Sequence, residues 1–145
     1  MKKQSRIENL ISKFLLLHDR KIDLSLDRIN RLNKDLKINI DNLQAKTVTL
    51  SGTNGKWSTA TTIRSIFEAA GYKVDLFTSP HVQSYTERFI FESKEISEEN
   101  LFDLLSEVES KNDSKPITIF ELLTSAFYFY SASKSKSNVV IAENG

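Results

Sequence analysis

The chain has 145 residues, of which 39% are apolar, 10% aromatic and 27% charged. That length lets one domain bury about two thirds of the surface its unfolded form exposes, and the composition is neither that of a disordered chain nor that of a membrane protein. Basic and acidic residues number 20 and 19, for a net charge of +1, so no electrostatic reason exists to expect a nucleic acid or an anionic membrane as partner.

The absence of cysteine excludes disulfides and thiolate metal sites and suits a reducing cytoplasm. The N-terminus, Met1-Lys2-Lys3-Gln4-Ser5-Arg6, is basic, but its longest apolar run is Phe14-Leu15-Leu16-Leu17 and no small-residue cleavage site follows. It does not read as a signal peptide, and no stretch has the length that spans a bilayer.

In chain order, Ile7, Leu10, Ile11, Phe14 and Leu17 recur at three- and four-residue intervals and predict a helix over 5–18 with one apolar stripe. Leu26, Ile29, Leu32 and Leu36 predict a second over 24–36, with Ser25 or Asp23 to cap it. A polar stretch, 37–44, leads to a strand over 46–51. Residues 56–70 then predict a helix stopped by Gly71, a left-handed cap. A strand over 73–77 ends at Thr78-Ser79-Pro80-His81, where proline interrupts the ladder.

Residues 85–91 fit either a short strand or an irregular segment. Ser97-Glu98-Glu99-Asn100 opens a helix to about Ser110, and an aromatic helix covers 118–132. Asn138–Ala142 reads as a buried strand of the parallel kind. Strands separated by helices predict a parallel sheet covered on both faces by helices, with no internal repeat.

Thr49-Leu50-Ser51-Gly52-Thr53-Asn54-Gly55-Lys56-Trp57-Ser58-Thr59 carries most of the chemistry. A glycine turn that enters a helix from the carboxyl end of a parallel strand offers backbone N–H groups to phosphate oxygens. Gly52 and Gly55 supply unusual backbone angles, and Lys56 would reach the β and γ phosphates. The strict pattern G-x-x-x-x-G-K-[ST] is not met, because position 50 is Leu and Trp57 follows the lysine. The competing reading is a turn that only lets helix 56–70 pack closely.

Ser79 stands at the carboxyl end of the second strand and could ligate magnesium or bond phosphate, or could simply form a Ser-Pro turn. Glu143 follows the third strand, where it could hold magnesium directly or through water, or merely be solvated. With His18 and His81 the only histidines, a transition-metal site is disfavoured. Phe120 and Glu121 could stack on and hydrogen-bond a flat heterocycle, against the alternative that Phe120, Phe127, Tyr128 and Tyr130 are core.

Together these segments resemble the folylpolyglutamate synthase and dihydrofolate synthase family of the Mur ligase superfamily. Ile22-Asp23-Leu24-Ser25-Leu26-Asp27-Arg28-Ile29 is similar to its I-x-L-G-L-x-R-I segment, and Ser51–Lys56 to its phosphate loop. Ala69–Val74 is similar to the helix-to-strand passage, and Thr78-Ser79-Pro80-His81 to the T-S-P-H turn. Tyr85-Thr86-Glu87-Arg88, Glu95-Ile96-Ser97 and Thr118–Thr124 resemble the N-E-R, P-I-S and T-x-F-E-x-x-T segments.

The resemblance implies an α/β fold with a P-loop-type parallel sheet flanked by helices. It would be an incomplete Mur-ligase-like ATPase domain over 45–145, preceded by two helices in 1–44 and lacking the C-terminal glutamate-ligase domain. It implies that Gly52, Thr53, Asn54, Gly55, Lys56 and Ser58 hold ATP, with Lys56 catalytic, and that Ser79 and Glu143 ligate Mg²⁺. Leu24, Ser25, Leu26 and Asp27, with Thr118, Ile119, Phe120 and Glu121, would border a pterin or folate pocket.

The implied reaction transfers the ATP γ-phosphate to a folate or dihydropteroate carboxylate, and the amine of L-glutamate attacks the acyl phosphate. Three departures stand out: Trp57 and Ser25 replace family glycines, and the chain reads Ala142-Glu143-Asn144-Gly145 and stops. The expectation is a three-strand sheet with an apolar edge, unstable as a monomer and inactive alone. The rival readings are a stand-alone nucleotide-binding module and a non-catalytic remnant acting through a partner chain that supplies the missing half.

Overall fold

The computed structural model describes residues 5–17, 25–44 and 46–143, which divide into two compact units. The first takes residues up to 38 together with 97–129, and the second takes 39–96 and 130 onward.

The first unit contains helices α1 (Arg6–Leu17), α2 (Asp27–Asp35), α5 (Glu98–Asn112) and most of α6 (Ile119–Ser133). The apolar stripes predicted for these helices are buried: Ile7, Ile11 and Phe14 on α1, Leu32 on α2, and Leu101, Leu104, Leu105 and Val108 on α5. Both α1 and α2 pack against α5. Polar contacts orient them, since Arg6 donates its N–H to Glu98 at 3.0 Å and sets its guanidinium 4.4 Å over the Phe102 ring. Arg31 reaches the fully buried Asn112 at 2.9 Å and the Pro116 carbonyl at 3.1 Å.

Two helix ends depart from expectation. Leu26, not Ser25, holds the N-cap position of α2 and has no side-chain cap bond. Ser25 accepts the Asp27 N–H from one residue earlier, at 3.1 Å, and Asp23 lies outside the described residues. The α5 helix runs on to Asn112, where Asp113 takes a left-handed conformation (φ 55°) and its N–H returns to the Glu109 carbonyl.

The second unit holds a five-stranded sheet in the order β1-β5-β2-β3-β4, formed by β1 (Thr47–Leu50), β2 (Val74–Phe77), β3 (Phe89–Phe91), β4 (Lys94–Glu95) and β5 (Val139–Glu143). The three predicted strands, β1, β5 and β2, are parallel. The expectation of a three-strand sheet is corrected by the antiparallel hairpin β3–β4, which joins β2. Its turn places Glu92 (φ 49°) and Ser93 (φ 69°) in the left-handed region. Such turns usually carry Asn or Gly, so nothing in the sequence announces this one.

A short helix, α3 (Ile40–Gln44), also lies within the stretch read as polar loop. Helix α4 (Lys56–Ala69) covers one face of the sheet. There Ala60 meets Val74, Leu76, Ile90 and Ile141, flanked by Leu50, Ile63, Phe67 and Val139. The odd-numbered residues of β2 face the other way, where Phe77, Phe89, Phe91 and Tyr130 form a chain of rings with successive centroids 5.2, 6.2 and 4.0 Å apart. Asp75 is on this side and fully buried. Its Oδ1 accepts from the Glu92 N–H at 2.8 Å and the Ser135 hydroxyl at 2.9 Å, tying the hairpin turn to the segment entering β5.

Candidate functional site

Strand register puts three carboxyl ends side by side in the second unit. Leu50 stands opposite Glu143 and Phe77 opposite Ala142. The loop leaving β1, the end of β5 and the Thr78-Ser79 exit of β2 therefore share one edge, the place where open parallel sheets bind ligands. Side chains follow the backbone there: Glu143, only 3% exposed, accepts the Ser79 N–H at 3.4 Å, a long hydrogen bond.

The loop itself is open. Residues Ser51 to Gly55 are all exposed, with Gly52 at φ 151° and Gly55 at φ 73°. A Cβ on either glycine would meet nothing within 4 Å, so these glycines serve backbone conformation, not close packing. Gly55 is the N-cap of α4 and offers no side-chain acceptor. The first N–H groups of the helix thus lack the usual cap.

That first turn also carries no acid and begins with Lys56, a cation at the positive end of the helix dipole. Lys56 curls back to donate to the Gly52 carbonyl at 2.6 Å. An uncapped N-terminus, a lysine at the wrong end of the dipole and an exposed glycine loop are three local departures from stable design that one bound anion would correct. Trp57 is 62% exposed and lies outside the α4 face that packs on the sheet. Ser58 is exposed, and its carbonyl accepts the Thr62 hydroxyl at 2.7 Å.

Hard oxygen atoms from Ser79 and the buried Glu143 suit Mg²⁺, which keeps several waters and takes its remaining ligands from phosphate. No group of three or more His, Cys, Asp or Glu able to hold a metal occurs among the described residues. His81 is occupied otherwise: its Nδ1 accepts from Arg88 Nε at 2.8 Å, and its ring lies 4.2 Å from that of Tyr85.

The other predicted residues belong to the first unit, except Leu24, which lies outside the described residues. Segments 25–27 and 118–121 are joined through Arg28, the residue after the first, which forks onto Glu121 of the second, Nε to Oε2 at 3.1 Å and Nη2 to Oε1 at 3.2 Å. Glu121 also accepts the Thr118 N–H at 2.7 Å, while the Thr118 hydroxyl accepts the Glu121 N–H at 3.2 Å, a capping box that starts α6. Burial opposes ionisation of Glu121, but the bonds from Arg28 and Thr118 outweigh it and hold the carboxyl below its ordinary range.

Leu26, 67% exposed, and Phe120, 41% exposed, leave apolar surface beside this pair, while Thr118 and Ile119 are half-buried and Asp27 is exposed. Phe120 is therefore not a core residue; Phe127 is. Arg28 was legible as a motif residue but not as the partner of Glu121. The Thr118-x-x-Glu121 spacing is itself a cap signature that the sequence offered.

No family model matches the chain. The dihydrofolate synthase/folylpolyglutamate synthase of Escherichia coli strain K12 is 35% identical over 130 residues, 89% of this chain and 30% of that protein. A structure of E. coli FolC in complex with DHPP and ADP superposes with a TM-score of 0.85 at 34% identity, over 97% of this chain and 33% of that one. The bifunctional folylpolyglutamate synthase/dihydrofolate synthase of Yersinia pestis, complexed with AMPPNP and Mn ion, gives 0.82 at 31% identity, over 100% of this chain and 35% of that one. The chain spans about a third of the length of the relatives it matches.

Proposed function

Because the chain belongs, over the segment it spans, to the folylpolyglutamate synthase/dihydrofolate synthase family, we propose that it carries the ATP and magnesium side of an ATP-dependent amide ligase. Gly52, Thr53, Asn54, Gly55, Lys56 and Ser58 bind the phosphates of ATP, and residues 45–145 form the nucleotide-binding portion. Lys56 leaves the Gly52 carbonyl to meet the γ-phosphate and offsets the charge of the transferring phosphoryl group. Ser79 and Glu143 hold Mg²⁺, which supplies further charge neutralisation when bound.

Ser25, Leu26, Asp27, Thr118, Ile119, Phe120 and Glu121, with Leu24, border the pterin of a folate or dihydropteroate. The substrate carboxylate takes the γ-phosphoryl group from ATP, releasing ADP, and the amine of L-glutamate displaces phosphate from the acyl phosphate to form the amide. The absence of cysteine suits a cytoplasmic setting. The observation that carries the nucleotide reading is the uncapped, lysine-led N-terminus of α4 beside the buried Glu143.

The test is direct binding. Mg-ATP titrated against the purified chain is expected to change the fluorescence of Trp57, the only tryptophan, and to be retained in equilibrium dialysis. Lys56→Ala is expected to weaken binding by about tenfold or more, the loss of one charge-assisted hydrogen bond. No retention of nucleotide at millimolar Mg-ATP would overturn the reading.

A further inference from the structure

Between Thr78 and Arg88 the chain leaves the sheet and returns to it. The Thr78 N–H donates to the Arg88 carbonyl at 3.2 Å and closes the base of the excursion. Within it Val82 is 90% exposed, and the segment has no ladder to hold it. Ser79 must nonetheless keep its place beside Glu143.

Glu87 gathers the segment from inside. Its Oε2 accepts the Val82 N–H at 2.8 Å, and its Oε1 accepts those of Gln83 and Ser84, each at 2.9 Å. The Ser84 bond belongs to the capping box of the 3-10 turn Tyr85–Arg88. The Val82 and Gln83 bonds lie ahead of that turn and cap nothing, so they serve the segment between Ser79 and the turn. Arg88 completes the arrangement through His81 Nδ1 and lies 5.3 Å from the Tyr85 ring. On the far side, the Thr86 hydroxyl donates to Glu95 at 2.6 Å and anchors the turn to β4.

We propose that Glu87 is a positioning residue for the metal–nucleotide site, holding residues 79–84 so that Ser79 stays in register with the Glu143 carboxylate. Arg88 does the same for His81. Neither side chain needs to touch substrate; their effect passes through the main chain of 81–84 to Ser79. The inference rests on Ser79 and Glu143 being the magnesium side of the site.

The experiment measures two quantities on the purified chain: ATP affinity in EDTA, and the Mg²⁺ concentration that half-saturates its effect at fixed ATP. Groups that orient a metal ligand typically cost 10–100-fold in metal affinity when removed. Glu87→Gln, which keeps one acceptor oxygen and loses the other, is expected to raise the Mg²⁺ midpoint about tenfold. Its ATP affinity in EDTA is expected to stay that of the wild type, and Glu87→Asp, which restores the carboxylate, to recover part of the loss.

A Glu87→Gln midpoint equal to the wild type's would overturn the inference alone. So would parallel losses of the metal-free affinity and the Mg²⁺ effect with a lowered melting temperature, the pattern of a merely structural residue. A wild-type chain that binds ATP with no Mg²⁺ effect would overturn the assignment of Ser79 and Glu143 itself.

Discussion

Removing the Asp75 carboxylate isolates what holds the hairpin to the rest of the sheet. In Asp75→Ala the Glu92 N–H and the Ser135 hydroxyl lose their acceptor. Ser135 in turn accepts the Ser137 N–H at 3.1 Å, so the disturbance extends into the segment entering β5. A buried donor left without a partner costs about 1–3 kcal/mol, and half-buried Ser135 belongs at the low end because water can reach it. Against these losses stands one relief: Asp75 Oδ2 is buried without a hydrogen bond, and deleting it recovers about 1 kcal/mol of desolvation. The net is a destabilisation of about 1–3 kcal/mol, or about 2–12 °C in Tm for a chain of this length.

Asp75→Asn keeps the Oδ1 acceptor in place and is expected to cost less than about 1 kcal/mol. Urea unfolding followed by far-ultraviolet circular dichroism at pH 7 measures both, since Trp57 is too exposed to report on the core. If Asp75→Ala and Asp75→Asn are equally stable, the carboxylate is not the staple that its geometry indicates.

Two further outcomes follow from other residues. Glu121 and Glu87 titrate below the ordinary carboxylate range. Burial of Glu121 is outweighed by Arg28 and Thr118, and Glu87 is lowered first by the Val82 and Ser84 N–H groups. A folded-state pKa below the unfolded one adds stability that is fully present above about pH 4.5 and fades as pH falls through the folded value. Urea midpoints are therefore expected to drop below about pH 4.5, and to drop less in Glu121→Gln than in wild type; equal slopes would count against the Arg28–Glu121 pair. Trp57→Ala is expected to change stability by less than about 0.5 kcal/mol, as exposed side chains do, and to leave ATP retention in dialysis within about twofold. A marked gain in affinity would mean that the indole overhangs the phosphates.

The elements that were legible in the sequence are those whose cause lies within a few residues. The glycine loop, the helix after it, its Gly71 stop and the helix opening at Ser97, whose side chain accepts the Asn100 N–H, each depend on local backbone preference or on apolar spacing, and each lies where the sequence predicts. The strand reading left open for 85–91 holds for Phe89–Phe91 alone, but its hairpin with Lys94–Glu95 escaped because the turn uses Glu92 and Ser93, residues with no preference for the left-handed region they occupy. Helix α3 escaped because five residues are too few to show a period.

By itself the sequence determined which residues could meet phosphate, a strand-loop-helix unit with glycines at the conformations a side chain resists and a lysine behind them. Only the tertiary structure decided which distant residues meet. Glu143 lies 64 positions from Ser79, Glu121 lies 93 from Arg28, and Ser135 lies 60 from Asp75. Such pairs depend on strand register and helix packing, which are set by the burial of a whole apolar face and not by any local spacing. The same register turns a glutamate at a strand end, indistinguishable in sequence from a solvated one, into a buried carboxylate opposite the strand that enters the glycine loop.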